Sequence, residues 1–212
     1  MIYDVSKRLL DICISLVALI FFLPIILLTA LAIRLNSKGP LLADTPPRVG
    51  KGGDSFRMYK FRSMVANAHE MLTSDPKYKS LLDEYKKGGY KLKHDPRITP
   101  VGRFIRKYSF DELPQFINVL KGDMSVVGPR AYYQDELRDQ QKKYPHTRGA
   151  VKVVLSVKPG ITGVWQVSGR SEINFDKRIQ LDAHYAKRRS ILYDLQILLK
   201  TPSAMFSGKG AM

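Results

Sequence analysis

A mostly helical α+β fold is predicted, in two parts. Residues 1–38 form a broken apolar helix that enters a membrane as a re-entrant hairpin. Residues 39–212 form one small domain of short helices and short β-strands, whose amphipathic pieces suit either an anionic membrane surface or ordinary packing on a core. Three observations predict this. The run from Ile12 to Ile33 carries no charged residue. Pro24 stands near its middle, with basic residues on both sides of the run. Beyond residue 38, Gly and Pro punctuate the chain so often that only short elements fit between them.

A straight helix over Ile12–Ile33 spans roughly 33 Å, about the thickness of a hydrocarbon core. A helix buried in an ordinary protein core is rarely so apolar all round. A cleaved signal peptide fits badly, because the apolar run is too long and Gly39-Pro-Leu-Leu-Ala-Asp44 has no A-x-A-like exit. Pro24 lacks an N–H, so the carbonyl of Ile20 loses its helical partner. Each arm is then on the order of a dozen residues and reaches about half-way through a bilayer. Lys7 and Arg8 precede the run, and Arg34, Lys38, Arg48, Lys51, Arg57, Lys60 and Arg62 follow it. Positive charge collects on the cytoplasmic side, so two basic flanks favour a hairpin with both ends in the cytoplasm. A single pass with a tolerated proline kink is the alternative that the residues leave open.

Gly39-Pro40 ends the apolar helix, and Gly50-Lys-Gly-Gly53 marks a turn. Ser55 to Phe61 alternates apolar and polar residues, as a short strand does. Met64 to Leu72 has helical spacing. Ser74-Asp-Pro76 breaks it and caps a helix over Lys77–Lys87, which Gly88-Gly89 ends. A loop over 94–100 precedes a short helix over Val101–Lys107. Pro114 opens and Lys121-Gly122 closes a helix over Glu112–Leu120. Ala131–Tyr144 reads as a charged, exposed helix. Lys158-Pro-Gly160 and Ser168-Gly169 bracket a strand over Ile161–Val167, and Ile173–Lys200 reads as helical. Since no repeat or low-complexity linker interrupts it, 39–212 is one unit.

The chain carries 35 Lys and Arg against 19 Asp and Glu, a formal net charge of +16. Such a surplus implies an anionic partner: nucleic acid, membrane lipid or a phosphorylated substrate. Nucleic acid is set aside, because no recognised binding motif appears and a membrane segment is unnecessary for it. The single cysteine, Cys13, excludes an intramolecular disulfide and a Cys-rich zinc site. The four histidines lack metal-ligand spacing.

Within this basic chain, Asp111 and Glu112 stand side by side before Pro114, among Arg97, Arg103, Arg106, Lys107, Lys121 and Arg130. At a helix start, exposed N–H groups and the dipole keep carboxylates ionised and also attract phosphate. Carboxylates and phosphates repel unless a cation intervenes, and Mg²⁺ takes oxygen ligands from one or two carboxylates plus substrate phosphates. A second carboxylate can then attack phosphorus as a nucleophile, while arginines grip a diphosphate bidentately. The plain alternative is capping, since an acidic pair at a helix start is common.

The sequence resembles the bacterial sugar transferases, monotopic polyprenol-phosphate phosphoglycosyltransferases, from Lys7 to about Thr201. The matching pieces are Lys7-Arg-Leu-Leu-Asp11, Arg48-Val-Gly50, Tyr59-Lys-Phe-Arg-Ser-Met64, Asp95-Pro-Arg-Ile-Thr-Pro-Val-Gly-Arg-Phe-Ile-Arg106 and Asp111-Glu-Leu-Pro-Gln115. They continue with Gly122-Asp-Met-Ser-Val-Val-Gly-Pro-Arg130, Lys158-Pro-Gly-Ile-Thr-Gly-Val-Trp-Gln-Val-Ser-Gly-Arg170 and Asp194-Leu-Gln-Ile-Leu198. The resemblance implies transfer of a sugar phosphate from a nucleotide-diphosphate sugar to polyprenyl phosphate, with release of a nucleoside monophosphate, as the first membrane step of polysaccharide assembly. It implies Asp111 as nucleophile carrying a covalent phosphosugar, Glu112 as the Mg²⁺ residue, and a re-entrant helix broken at Pro24 on the cytoplasmic face of the bacterial inner membrane. Three places depart from the family pattern: Leu23 stands where a serine is frequent, Leu42-Ala-Asp-Thr-Pro-Pro47 lacks an expected aromatic and Gln, and Ala131 replaces a usual proline.

The cations are assigned accordingly. Arg130 and Arg170 end Gly-rich turns and are expected at the diphosphate or nucleotide. Arg97, Arg103 and Arg106 are further substrate-binding candidates. Lys7 and Arg8 stand at the membrane surface, where the polyprenyl phosphate headgroup lies. Trp165 is a candidate for stacking on the base, or else a core residue. The competing reading is a basic membrane-surface adaptor without enzymatic activity, which explains the charge and the apolar helix but not the acidic pair. The sequence does not disclose the oligomeric state.

Overall fold

The computed structural model describes residues 2–90, 92, 94–169 and 172–206. Two helices open the chain, α1 (Ile2–Phe21) and α2 (Leu23–Asn36). They are bent by 61° at the break between them, and no single described helix is long and apolar enough to cross a membrane, whereas the bent pair together is. Phe22 caps α2 in place of a helical turn, and Pro24 falls in the first turn, where its missing N–H costs least. Leu16, Val17, Ile20, Phe21, Leu27 and Leu28 are exposed around this bend.

The rest of the chain alternates short pieces. They are β1 (Arg48–Val49), β2 (Ser55–Phe56), α3 (Ala68–Ser74), α4 (Lys79–Lys87), α5 (Pro100–Lys107), α6 (Gln115–Lys121), β3 (Ser125–Val127), α7 (Gln134–Lys143), α8 (Arg148–Val154), β4 (Gly160–Thr162), α9 (Val164–Val167), α10 (Phe175–Arg188) and α11 (Ile191–Phe206). β1 pairs antiparallel with β2, and β3 pairs parallel with β4. One core cluster gathers Val119, Met124, Val126, Val127, Tyr185 and Ile197 around the parallel pair. A second, with Tyr132, Leu137, Val151, Phe175 and Ile179, lies between α8 and α10. A third joins Ile33 of α2 to Phe61 and Ile105.

The mostly helical α+β reading stands. The strand expected over Ser55–Phe61 shrinks to β2 and an isolated bridge between Leu42 and Phe61. The strand expected over Ile161–Val167 is overturned in its second half: Gly163 is extended, and Val164–Val167 turn into α9, packed against α10 and α11. The helical region Ile173–Lys200 is two helices, parted by the extended Arg189.

Both ends of the broken helix are fastened to the same domain. At the entry, Asp11 is 3% exposed. Its carboxylate accepts from the Val126 N–H at 3.0 Å, the Ser125 hydroxyl at 2.8 Å and Lys7 Nζ at 2.8 Å. Lys7 also reaches Asp194 at 3.1 Å. At the exit, the Arg62 guanidinium donates to the carbonyls of Ser37, Lys38 and Pro40 at 2.9, 2.9 and 2.7 Å. These carbonyls belong to the cap and loop just past α2, and one side chain satisfies all three.

Removing one member of a buried ionic network leaves the others uncompensated, at about 3–5 kcal/mol. Asp11→Ala is therefore expected to lower the unfolding temperature of the detergent-solubilised protein by many degrees. Asp11→Asn, which keeps acceptor and shape, is expected to lose less. Melting curves that coincide for wild type and Asp11→Ala would show the anchor to be dispensable.

Candidate active site

Asp111 and Glu112 lie on a single 3-10 turn, Phe110–Glu112, entered through Ser109 in the left-handed region (φ 57°). This corrects the expected helix over Glu112–Leu120. The α-helix begins three residues later, at Gln115, so its first turn is not what faces the acids. The backbone N–H groups of Glu112 and Leu113 are bonded within the turn, to Ser109 and Phe110. Cations rather than a helix end surround the pair.

The dominant cation is Lys60, which the sequence reading had counted only among the basic flank. Its Nζ lies 3.0 Å from Oδ2 of Asp111 and 3.1 Å from Oε1 of Glu112. The contact with Glu112 is a hydrogen bond; Oδ2 of Asp111 is buried and has no hydrogen-bond partner. Burial is the largest influence on Asp111 and raises its pKa, with Glu112 adding to the rise and Lys60 and Arg106 opposing it. Burial also works against the charge of Lys60, but Asp111 and Glu112 outweigh it and raise the lysine's pKa. The ammonium is thus firmly charged, yet with Arg106 it does not offset the burial of Asp111. A buried carboxylate beside a part-exposed one that opens onto the cavity fits a divalent cation. The donor set is small, since no group of three or more His, Cys, Asp or Glu gathers for a metal among the described residues. Mg²⁺ tolerates this, because substrate phosphates and water complete its shell.

Lys60 and Glu112 open onto a cavity of about 280 Å³ that Arg48, Arg106, Arg130 and Trp165 also line. Asp111 is not on its wall; with 2% exposure it sits behind, in contact with Lys60. Arg106 is oriented by the Ser63 hydroxyl at 3.0 Å. Arg130 lies 5.4 Å over the Trp165 ring. Its backbone N–H donates to Asp182 at 3.1 Å. Arg97 borders the cavity but is fully engaged. It forks onto Asp95 at 2.8 and 2.7 Å and donates to the Ala68 carbonyl at 2.8 Å. Arg103 is exposed and away from the cavity. Arg170 lies outside the described residues. Lys7 is held by Asp11 and Asp194, and Arg8 donates to the carbonyls of Val119 and Leu120 at the end of α6. These two cations fasten α1 to the domain, and neither lines the cavity.

The glycines before the arginines serve the protein rather than a ligand. A side chain on Gly160 or Gly163 would collide with the backbone of Gly128. The Gly128-Pro-Arg130 turn and the Lys158-Pro-Gly160 turn therefore pack backbone to backbone, and that contact aims Arg130 and Trp165 at one cavity. Two of the three unusual places in the sequence also border it: Ala43, Asp44, Thr45 and Pro46 on one wall, and Ala131 on another.

Residues 2–208 match the bacterial sugar transferase family. The chain belongs to that family. Among its relatives, an undecaprenyl-phosphate galactose phosphotransferase of Salmonella typhimurium is 44% identical over 97% of this chain and 41% of its own length. A UDP-glucose:undecaprenyl-phosphate glucose-1-phosphate transferase of Klebsiella pneumoniae is 38% identical over 98% of this chain and 41% of its own. The exopolysaccharide production protein ExoY of Sinorhizobium fredii is 36% identical over 98% of this chain and 88% of its own length. The chain thus spans about two fifths of the longer relatives and most of ExoY.

Lys60, Arg48 and Asp182 are the site residues that sequence reasoning left unassigned. Lys60 and Arg48 do fall inside the matching pieces around Tyr59–Met64 and Arg48–Gly50, which was the available signal. Asp182 gave none, since it is one acid in a charged helix.

Asp182 is fully buried, and its Oδ2 accepts from the Arg130 N–H and the Tyr132 hydroxyl, each at 3.1 Å. Burial, the largest influence, pushes its pKa up to about 7 against those two bonds and the charge of Arg178. A carboxyl raised from its ordinary 3.8 keeps its proton in the folded protein after the unfolded chain has released it. Its contribution to stability is therefore present at low pH and lost as pH rises from about 4 to about 7. Asp182→Asn keeps the acceptor and no longer titrates. Unfolding temperatures at about pH 5 and about pH 8 are expected to differ more in wild type than in the variant; equal differences would show Asp182 to titrate normally.

Proposed function

We propose that the protein transfers a sugar phosphate from a UDP-sugar to undecaprenyl phosphate and releases UMP, at the cytoplasmic face of the bacterial inner membrane. The observation that carries this is the buried Asp111–Glu112 pair, bridged by Lys60 at the edge of an arginine-lined cavity. The printed names of the relatives supply the substrate class: UDP-sugar as donor, undecaprenyl phosphate as acceptor. Those names differ in the sugar, so the sugar is left general. The adaptor reading leaves the lysine-bridged acids and the cavity without a purpose.

On this reading the donor lies in the cavity with its diphosphate against Arg130 and Arg106. An oxygen of Asp111 attacks the sugar-bearing phosphorus. The bond from that phosphorus to the bridging oxygen breaks, and the electron pair leaves with UMP. The phosphosugar stays on Asp111 as an acyl phosphate. A phosphate oxygen of the polyprenyl acceptor then attacks the same phosphorus and returns the carboxylate. Glu112, with Asp111 beside it, would hold Mg²⁺, whose charge screens carboxylate from phosphate. Lys60 shares its charge between the acids and keeps the nucleophile oriented. Attack requires the Asp111 oxygen to exchange its contact with Lys60 for one with the donor.

The fastening of both ends supports the re-entrant topology. A chain whose entry is bonded to β3 through Asp11 and whose exit is bonded to Arg62 leaves both ends on one side of a bilayer. Cysteines placed near residues 1 and 40 are expected to react with an impermeant reagent only from the cytoplasmic side. Labelling of the first from outside would establish a spanning helix.

The chemistry is tested with donor alone. UMP is expected to appear before any polyprenyl phosphate is added, and intact-protein mass spectrometry is expected to show one phosphosugar on a peptide containing residue 111. Asp111→Asn is expected to lose both while staying folded. Chelation, and Glu112→Gln, are expected to lower turnover by about 100-fold or more. An active enzyme that never carries the adduct would replace the covalent route by direct transfer.

A further inference from the structure

Three hydrogen-bond donors on the cavity wall have no acceptor among the described residues: Nε of Arg48, Nε of Arg130 and Nε1 of Trp165. Arg48 is 8% exposed, so water does not readily take the place of the missing partner. Its guanidinium is fixed on two sides. Cζ lies 3.3 Å from the centroid of the Tyr133 ring, and Nη1 donates to the Ala131 carbonyl at 3.1 Å. Arg130 lies more loosely over an aromatic ring, with Cζ 5.4 Å from the centroid of Trp165. Both arginines line the same cavity, as Tyr133 and Trp165 do.

The buried unpaired side-chain atoms of Arg48, Arg130 and Trp165 on this wall are all donors. A sugar brings as many donors as acceptors and would leave donors facing donors. A phosphate brings acceptors alone, in the spacing that a guanidinium fork matches. Stacking on an aromatic ring sets the plane of each fork before a ligand arrives. Two prepared guanidiniums correspond to two phosphates, which the nucleotide sugar carries and the polyprenyl acceptor does not.

We propose that Arg48, held flat on Tyr133, is a second diphosphate-binding residue, and that it forms with Arg130 on Trp165 a two-sided clamp for the diphosphate of the nucleotide sugar. The inference rests on the transferase reading above and adds to it residue 48 and the two aromatic supports.

The test uses the full chain in detergent, with Arg48→Lys and Tyr133→Leu. Lysine keeps the charge and loses Nε and the fork. Leucine removes the supporting ring and leaves Arg48 and its bond to Ala131 in place, so it carries the test should Arg48→Lys fail to fold. UMP release is followed without polyprenyl phosphate, across nucleotide-sugar concentrations, with UDP or uridine as competitor. In Arg48→Lys the half-saturating donor concentration is expected to rise about ten-fold or more, the saturated rate to change little, and UDP to weaken as a competitor by the same factor. Competition by uridine, which has no phosphate, is expected to stay unchanged. Tyr133→Leu is expected to shift the same quantities in the same direction by less. Unchanged half-saturation in both variants overturns the proposal, and so does an equal weakening of UDP and uridine, which marks a misshapen site. A rise confined to half-saturation by polyprenyl phosphate in the complete reaction assigns the clamp to the acceptor and overturns it for the donor. If wild type releases no UMP even when polyprenyl phosphate is added, the transferase reading fails by itself. Calorimetric titration of wild type and Arg48→Lys with UDP then decides Arg48 separately, equal affinities overturning the clamp.

Discussion

The extended strip Tyr59–Met64 is the constraint on which the rest of the molecule depends. Successive residues face different parts of the structure, as an extended chain requires. Lys60 bridges the acidic pair, Phe61 is buried in the cluster under α2, and Arg62 holds the carbonyls at the exit of α2. The backbone of the strip is fixed at the same time. The Phe61 N–H donates to the Asp111 carbonyl at 2.9 Å, the Arg62 N–H donates to Leu41 at 2.8 Å, and the Lys60 carbonyl accepts from Ala43 at 2.8 Å. The end of the broken apolar helix and the position of the acidic pair are therefore set by neighbouring residues of one strand-like segment. Neither can shift by much without the other.

The electrostatics of the site follow from how little water reaches it. Asp111 is pushed toward its protonated form by burial and by Glu112, and Lys60 and Arg106 work against both. A buried carboxylate beside a like charge holds its charge poorly unless hydrogen bonds or cations complete it. Elsewhere in the domain buried charges pair with one another. Glu136 and Arg178, 1–2% exposed, pair at 2.9 Å, each keeping one unpaired atom, and Lys7 is shared by Asp11 and Asp194. At the site, Oδ2 of Asp111 has the Lys60 ion pair alone, and three N–H donors on the cavity wall lack acceptors. A phosphate with a divalent cation is the one common ligand that brings what each lacks.

Much of the fold was legible because its signals are local. The uncharged run, the proline within it, and the glycines and prolines after residue 38 placed α1, α2, α5 and the boundaries of α4 close to where they lie. What escaped depends on contacts between distant residues. Val164–Val167 reads as a strand continuing from Ile161, yet it turns into α9 because Gly163 sits against Gly128, which leaves the chain no room to run on beside β3. The parallel pairing of β3 with β4 joins residues 35 apart, such as Ser125 and Gly160, and no short pattern announces it. At the site, Asp111 and Glu112 drew attention as adjacent acids in a basic chain. The cations around them could be counted but not sorted. Lys7 and Arg8 look like headgroup ligands by position, yet partners more than 110 residues away in Asp194, Val119 and Leu120 occupy them. Lys60 looks like one more flanking charge and is the residue that touches both acids.

The location of the cavity suggests how a water-borne donor and a lipid-borne acceptor meet under the proposed function. The segment that leaves α2 runs along the cavity wall, with Pro40, Ala43, Asp44, Thr45 and Pro46 all bordering it. Since α2 ends at Asn36, this wall begins within four residues of the point where the apolar helix stops. A phosphate carried on a polyprenyl chain stays at the depth where apolar surface gives way to charge, so it arrives beside this segment without leaving the membrane. The nucleotide sugar has no such anchor and enters from water. Arg48 and Arg130 on the wall, and Lys60 with the acids at its edge, then receive phosphates from two phases at one place. On this view the break in the helix brings the exit of α2 back to the domain that entered it, and that return sets the cavity at the depth of the acceptor's phosphate.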